Sequence, residues 1–240
     1  MRVRLGRPLL GSTARRRAGP TLAACVIVVV ALGLLFNGQT RPDGFDNAVD
    51  SPVAAFFAGR RTLLLWLALP GTIIPAVVLS TAIAAGCLTA RRVNGAVLAL
   101  TAVPAATALN DALLKHLFHR TYLGQVAFPS GHTGAATALT ATLTVLLLAP
   151  PQRARTRAAR VPVVAVACVV TAVVATAVIG LRWHYFTDCV AGAAVGVGTV
   201  LALALLLDLL AGVIGRPAGV AGEPAAKPAL PEPVGPAGDP

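Results

Sequence analysis

Charge is what this sequence has least of. Only 12% of its 240 residues are charged, and nine are acidic. Soluble domains carry about a quarter charged residues, so an ordinary water-soluble enzyme is excluded. Aromatic residues are also sparse, at 5%, which suits long apolar helices better than sandwiches or barrels. Cysteine is limited to Cys25, Cys87, Cys168 and Cys189, far apart and with no CxxC pair. That spacing offers neither a zinc site nor a redox dithiol, and buried small apolar residues are expected there. Lack of polarity rules out disorder for the bulk of the chain.

Apolar side chains fill the gap: 56% of residues are hydrophobic and the mean hydropathy is +0.78. A bilayer core of about 30 Å needs about twenty helical residues. Six apolar runs meet that length, at 18–36, 63–90, 93–114, 131–149, 161–181 and 189–214. The expected fold is therefore all-α, a polytopic membrane protein of six transmembrane helices. The second run is long and holds Pro70 and Pro75, so a tilt or kink is predicted in it. The first follows a basic stretch as a signal peptide would, but no small-residue cleavage site comes after it. An uncleaved first helix is expected.

The net charge of +11 raises the question of nucleic acid, and the placement of the charge answers it. Arg2, Arg4, Arg7, Arg15, Arg16 and Arg17 precede the first run; Arg91 and Arg92 separate two others; Arg153, Arg155, Arg157 and Arg160 sit in one hydrophilic break. Clusters between apolar spans are topology signals, and no base-stacking aromatics accompany them. No nucleic-acid partner is expected. Placing the N-terminus inside puts fourteen of the twenty basic residues on the cytoplasmic side, so both termini are expected inside the plasma membrane. Three regions follow: a basic cytoplasmic segment at 1–17, a membrane domain at 18–215, and a tail at 216–240. The tail holds seven Pro, four Gly and six Ala, cannot bury a core, and reads as a flexible cytoplasmic extension. In the outer segment 37–61, Asp43, Asp46 and Asp50 alternate with Phe45, Val49, Val53, Phe56 and Phe57. That spacing fits a short interfacial helix or a plain loop.

All four histidines fall in segments assigned to the outer side. His116, His119 and His132 lie in or beside the connection between the third and fourth runs, and His184 lies between the fifth and sixth. Ionisable groups gathered at one membrane face suggest function. In Phe128-Pro129-Ser130-Gly131-His132, Ser130 can cap a helix start and Gly131 lets an anion approach the backbone. A merely capped helix start is the plainer reading. His184 and Asp188 are four apart, so a helix would put the carboxylate within reach of one ring nitrogen and make the other more basic. An interfacial pair beside a Trp-Tyr belt is the alternative. Lys115 follows Asp111 by four and can ion-pair with it. Lys115 and Arg120 can also snorkel from a helix end or clamp phosphate oxygens.

Lys115 with Arg120, Pro129-Ser130-Gly131-His132, and His184 with Asp188 together resemble the three-motif signature of the type 2 phosphatidic acid phosphatase (PAP2) superfamily. The resemblance implies a six-helix PAP2-like bundle and a metal-independent phosphatase without cofactors. It implies that His184 attacks phosphorus to form a phosphohistidine, that Asp188 orients it, and that His132 is the general acid. Lys115, Arg120, Ser130 and the Gly131 N–H would hold the phosphate oxygens. Two positions depart from the signature. Tyr122 and Leu123 stand where the family has Arg-Pro, and Ala177 and Val178 where it has Ser-Arg. Arg182, two residues before His184, is the nearest substitute cation. The implied substrate is a lipid phosphate or diphosphate (a polyprenyl carrier of the cell envelope, phosphatidic acid or phosphatidylglycerol phosphate) met among membrane lipids, with the site on the extracytoplasmic side. Transfer to an alcohol, or a non-catalytic membrane role, are the alternatives. The sequence carries no sign of oligomeric state.

Overall fold

A computed structural model describes residues 8–148 and 154–214. The basic residues before position 8 and the tail from 215 onward lie outside the described residues, and so does the expectation of a flexible tail. Helix α1 spans Ser12–Leu35 and α2 spans Gly44–Phe56. Helices α3 (Arg61–Ala68) and α4 (Ile73–Thr89) are joined by a tight helical turn at Leu69–Gly71. Helix α5 (Val93–Ala108) widens into a π-helical turn at Leu109–Leu114 and ends in α6, Lys115–Leu117. A two-stranded hairpin, β1 (Thr121–Tyr122) and β2 (Gln125–Val126), follows. Helices α7 (Gly131–Leu148), α8 (Ala154–Gly180) and α9 (Phe186–Ile214) complete the chain.

Among the described residues, six stretches are long and apolar enough to cross a membrane: Ser12–Leu35, Arg61–Thr89, Val93–Leu117, Gly131–Leu148, Ala158–Gly180 and Phe186–Val213. They are the six runs predicted, with shifted ends. The kink in the second falls at Pro70, inside the turn; Pro75 sits in the first turn of α4, where no intrahelical N–H is lost. The segment after α1 resolves its alternatives as the helix α2, capped by Asp43, whose carboxylate accepts the Asp46 N–H at 2.7 Å.

The side-chain distribution is that of a bundle in lipid. Large apolar residues such as Ile27, Ile74, Val166 and Leu209 are exposed, while Ala76, Ala102, Ala138, Ala191 and Ala204 are buried. Without a hydrophobic drive between helices in lipid, small residues and hydroxyls must make the contacts. Helix α9 lies against α7, α1 and α5. At its seam with α7, a Cβ on Gly192 would collide with the Ser130 carbonyl, and one on Gly196 would lie 2.7 Å from the Gly134 carbonyl. Between α7 and α8, the Thr140 and Thr171 hydroxyls bond at 2.8 Å. At one end of the bundle Arg92 caps the Leu146 carbonyl at 2.9 Å. There too, the buried Asp208 accepts the Leu9 and Leu10 N–H groups at 2.6 and 3.0 Å and pairs with Arg15 at 3.3 Å. The opposite end holds α2, the hairpin and the α8–α9 connection, and there the chemistry collects.

Candidate active site

A cavity of about 570 Å³ opens among the α3–α4 turn, α5–α6, the hairpin, the start of α7 and the α8–α9 connection. Lys115, Gly131, His132, Arg182 and His184 all line it. Five of the eight residues expected at the site therefore share one space. Arg61 and Trp183, to which no motif points, line it too. His116 and His119 are exposed and do not.

His184 and His132 face each other with ring centroids 6.3 Å apart, and the His132 ring lies 5.3 Å from that of Trp183. His184 Nδ1 lies 2.8 Å from the Ala127 carbonyl. A carbonyl oxygen only accepts, so Nδ1 carries the proton and Nε2 keeps its lone pair. Burial first, then the neighbouring His132, push the His184 pKa down to about 3. The ring is therefore neutral near pH 7, as a nucleophile or base requires.

The expected bond from Asp188 to His184 is not made. Helix α9 begins at Phe186, two residues after His184, so the pair does not share a helical face. Asp188 Oδ2 is 4.0 Å from Nδ1 and instead accepts the Tyr185 N–H at 2.9 Å. Its Oδ1 accepts from Arg120 at 2.7 Å. Asp188 shapes the turn that carries His184 rather than touching the ring.

Arg120 departs from its expected role as well. It is fully buried, 0% exposed, and outside the cavity lining. Its guanidinium donates to Thr187 Oγ1 at 2.6 Å, to Asp188, and to Asp46 Oδ2. The aromatic rings of Phe36 and Tyr185 lie within 4.3 and 4.2 Å of it. The Arg120 Nε–H has no partner among the described residues, but a guanidinium paired with two carboxylates, enclosed by rings and outside the cavity lining is closed off from a phosphate oxygen there. Ser130 is likewise buried and does not line the cavity. Its hydroxyl caps α7, taking the Thr133 N–H at 3.4 Å and donating to Thr133 Oγ1 at 3.1 Å. Its N–H bonds the Asp188 carbonyl at 3.0 Å, tying the starts of α7 and α9 together. Lys115 keeps the anticipated ion pair with Asp111, at 2.7 Å, and still lines the cavity.

The two sequence departures have structural counterparts. Ala177 and Val178 are fully buried against Leu64 and Ala68 of α3, a seam in which an arginine would be desolvated without a partner. Arg182 ends α8 in the left-handed conformation, φ 59°. There the Arg182 N–H meets the Ile179 carbonyl at 2.8 Å and the Trp183 N–H the Val178 carbonyl at 3.0 Å, a Schellman close that aims the side chain at the cavity. Tyr122 and Leu123 form the hairpin rim and line the cavity.

Asp46 and Asp50, expected only as the polar part of an interfacial helix or loop, reach the start of α9. Asp46 accepts the Thr187 N–H at 2.9 Å and Asp50 the Phe186 N–H at 3.1 Å. Their spacing of four on α2 puts both on one face, which was the available signal. Among the described residues, no three His, Cys, Asp or Glu side chains gather as metal ligands.

A family model described as PAP2 superfamily matches residues 16–210. No curated protein and no solved structure gives a match.

Proposed function

The chain belongs to the PAP2 superfamily, a family of phosphatases, and from that premise we propose that it hydrolyses a lipid phosphate or diphosphate through a phosphohistidine, without a metal. The observation that carries this reading is the facing pair His184 and His132 in a cavity also lined by Lys115, Arg182 and Arg61. His184 Nε2 attacks phosphorus while His132 protonates the departing oxygen. Water then cleaves the P–N bond, giving up its proton to His132 and returning His184 to its neutral form. Lys115, Arg182 and the free N–H groups at the start of α7 take the charge on the non-bridging oxygens, the role a metal fills elsewhere.

A headgroup reaches such a cavity while its tail stays in lipid, which favours polyprenyl, phosphatidyl or related phosphates. The positive-inside bias supports a plasma-membrane protein with both termini in the cytoplasm and the cavity on the extracytoplasmic side. Arg61 adds a cation beyond those one phosphoryl group needs, so diphosphates are included. The test is phosphate release from a panel of lipid phosphates by the purified protein in detergent, with and without EDTA, beside His184→Ala. Equal rates for the two proteins would remove the nucleophile, and loss on chelation would remove the metal-free mechanism.

One observation favours transfer as a second reading. A recess of about 390 Å³ shares Tyr122 and Arg182 with the cavity and is lined by Asn47, Asp50 and Ser51, groups suited to an acceptor hydroxyl. Phosphate release measured against phosphorylation of an added alcohol separates hydrolysis from transfer.

A further inference from the structure

The α9 start is held by groups far from it in sequence. Its three leading N–H groups are taken by carboxylates: Tyr185 by Asp188, Phe186 by Asp50 and Thr187 by Asp46, at 2.9, 3.1 and 2.9 Å. Two of the three carboxylates come from α2. Asp46 Oδ2 also accepts the Thr187 hydroxyl at 3.0 Å and the Arg120 guanidinium. Arg120 in turn grips Thr187 and Asp188. All three charged members, Asp46, Arg120 and Asp188, are 0% exposed.

The same arginine belongs to the segment that holds the imidazole. Its carbonyl accepts the Ala127 N–H at 2.9 Å across the hairpin, and the Ala127 carbonyl is the group that binds His184 Nδ1. Arg120 thus fixes both ends of one span: by its side chain the turn that carries His184, by its backbone the residue that orients the ring. The hairpin is itself pinned to the end of α1, where Asn37 Oδ1 accepts the His119 N–H at 3.1 Å and the Gln39 carbonyl the Thr121 N–H at 2.9 Å.

We propose that Asp46 and Arg120 are positioning residues, and that α2 is the part that holds the His184 turn against the hairpin so that Nδ1 meets the Ala127 carbonyl. This rests on the reading of His184 as the nucleophile. Buried charge pairs add little net stability, but they fix one geometry because every misaligned alternative leaves a charge unpaired. A nucleophile displaced by about 1 Å loses about 100-fold in rate. The loss falls on the chemical step, since neither residue lines the cavity that binds substrate.

The experiment compares wild type, Asp46→Asn and Thr187→Val in detergent. Asp46→Asn keeps an acceptor for the Thr187 N–H but removes the charge facing Arg120. Thr187→Val removes the bridging hydroxyl and leaves every charge in place. For Asp46→Asn, kcat on a lipid phosphate should fall by about 100-fold with KM within about 3-fold. Thr187→Val should shift kcat the same way and by less. The rate of His184 carbethoxylation by diethyl pyrocarbonate, followed by mass spectrometry, should change in both variants. Unchanged kcat, or a raised KM with kcat kept, overturns the proposal, the latter because it would make this cluster a substrate contact. If Asp46→Asn does not fold, Thr187→Val decides alone. If the wild type releases phosphate from no lipid, the functional reading falls. The carbethoxylation rate then judges the positioning by itself, and an unaltered rate overturns it.

Discussion

His184 Nδ1 sits 2.8 Å from the carbonyl oxygen of Ala127, and this one bond fixes which ring nitrogen is free. The partner is a neutral carbonyl, not a carboxylate; it selects the tautomer, and its pull toward the charged ring is outweighed by burial. With burial and His132 acting against protonation, the pKa lies near 3 rather than the ordinary 6.5. Carbethoxylation requires the neutral ring. Its rate at His184, read by mass spectrometry, should therefore stay flat between about pH 5 and about pH 8. A tenfold fall per unit below 6.5 would show an ordinary imidazole. Asp188→Ala should lower kcat by unfastening the Tyr185 turn and freeing Arg120.

Asp50 departs in the opposite sense. Its Oδ1 accepts the Phe186 N–H, while Oδ2 is buried without a hydrogen-bond partner. Burial first and Asp46 next raise its pKa from 3.8 to about 7. Between those values the folded chain holds a proton that the unfolded chain has released, so this group's contribution to stability falls as pH rises through the window. The carboxyl is only half-buried, and solvent screening trims the effect. Asp50→Asn keeps an acceptor for Phe186 and cannot ionise. Between about pH 5 and about pH 8 the wild type should lose more of its unfolding midpoint than Asp50→Asn does. His184 tilts the other way but is common to both proteins, so it cancels in the comparison. Parallel midpoint curves would contradict the raised pKa.

Gly192 sets how closely α9 approaches the start of α7. A methyl there meets the Ser130 carbonyl, and the α9 backbone must retreat, pulling the Asp188 carbonyl from the Ser130 N–H. Gly192→Ala should cost about 1–3 kcal/mol of stability. Gly86, in α4 with nothing within 4 Å of a built Cβ, is the control. Gly86→Ala should gain about 0.5–1 kcal/mol from the helix alone. Thermal unfolding in detergent reads both, and equal shifts would deny Gly192 its packing role.

The six spans are legible in the sequence because hydropathy over twenty residues is a summed signal that no single side chain can upset. Element ends are less so. The third span runs on to Leu117 rather than 114 because the polar Lys115 and His116, where hydropathy stops, still belong to its last helical turn, α6. The start of α9 at Phe186 is hidden by the aromatic run Trp183, Tyr185 and Phe186, which fits a membrane belt as well as a turn. That error placed His184 and Asp188 on one helical face, where they are not. Arg120 was the hardest residue to read. Its carboxylate partners lie 74 and 68 residues away, and an arginine near a helix end looks the same in sequence whether it faces phosphate or an aspartate.

Arg182 and Arg91 end their helices alike, and comparing them separates backbone strain from function. Both are left-handed, at φ 59° and 55°. Both close Schellman motifs: the Arg92 N–H reaches the Cys87 carbonyl at 2.8 Å, as the Trp183 N–H reaches Val178 at 3.0 Å. A residue with a Cβ loses about 1 kcal/mol in that conformation and glycine does not. Arg182→Gly and Arg91→Gly should therefore both raise the unfolding midpoint. Only Arg182 lines the cavity, so only its substitution should slow turnover. The expected loss is about 1.5–3 kcal/mol of transition-state stabilisation, one to two decades in kcat/KM. Arg91→Gly should retain the wild-type rate. If Arg182→Gly gained stability and kept full activity, Arg182 would not be a cation that holds the phosphate, and Lys115, Arg61 and the α7 start would be left to carry its charge.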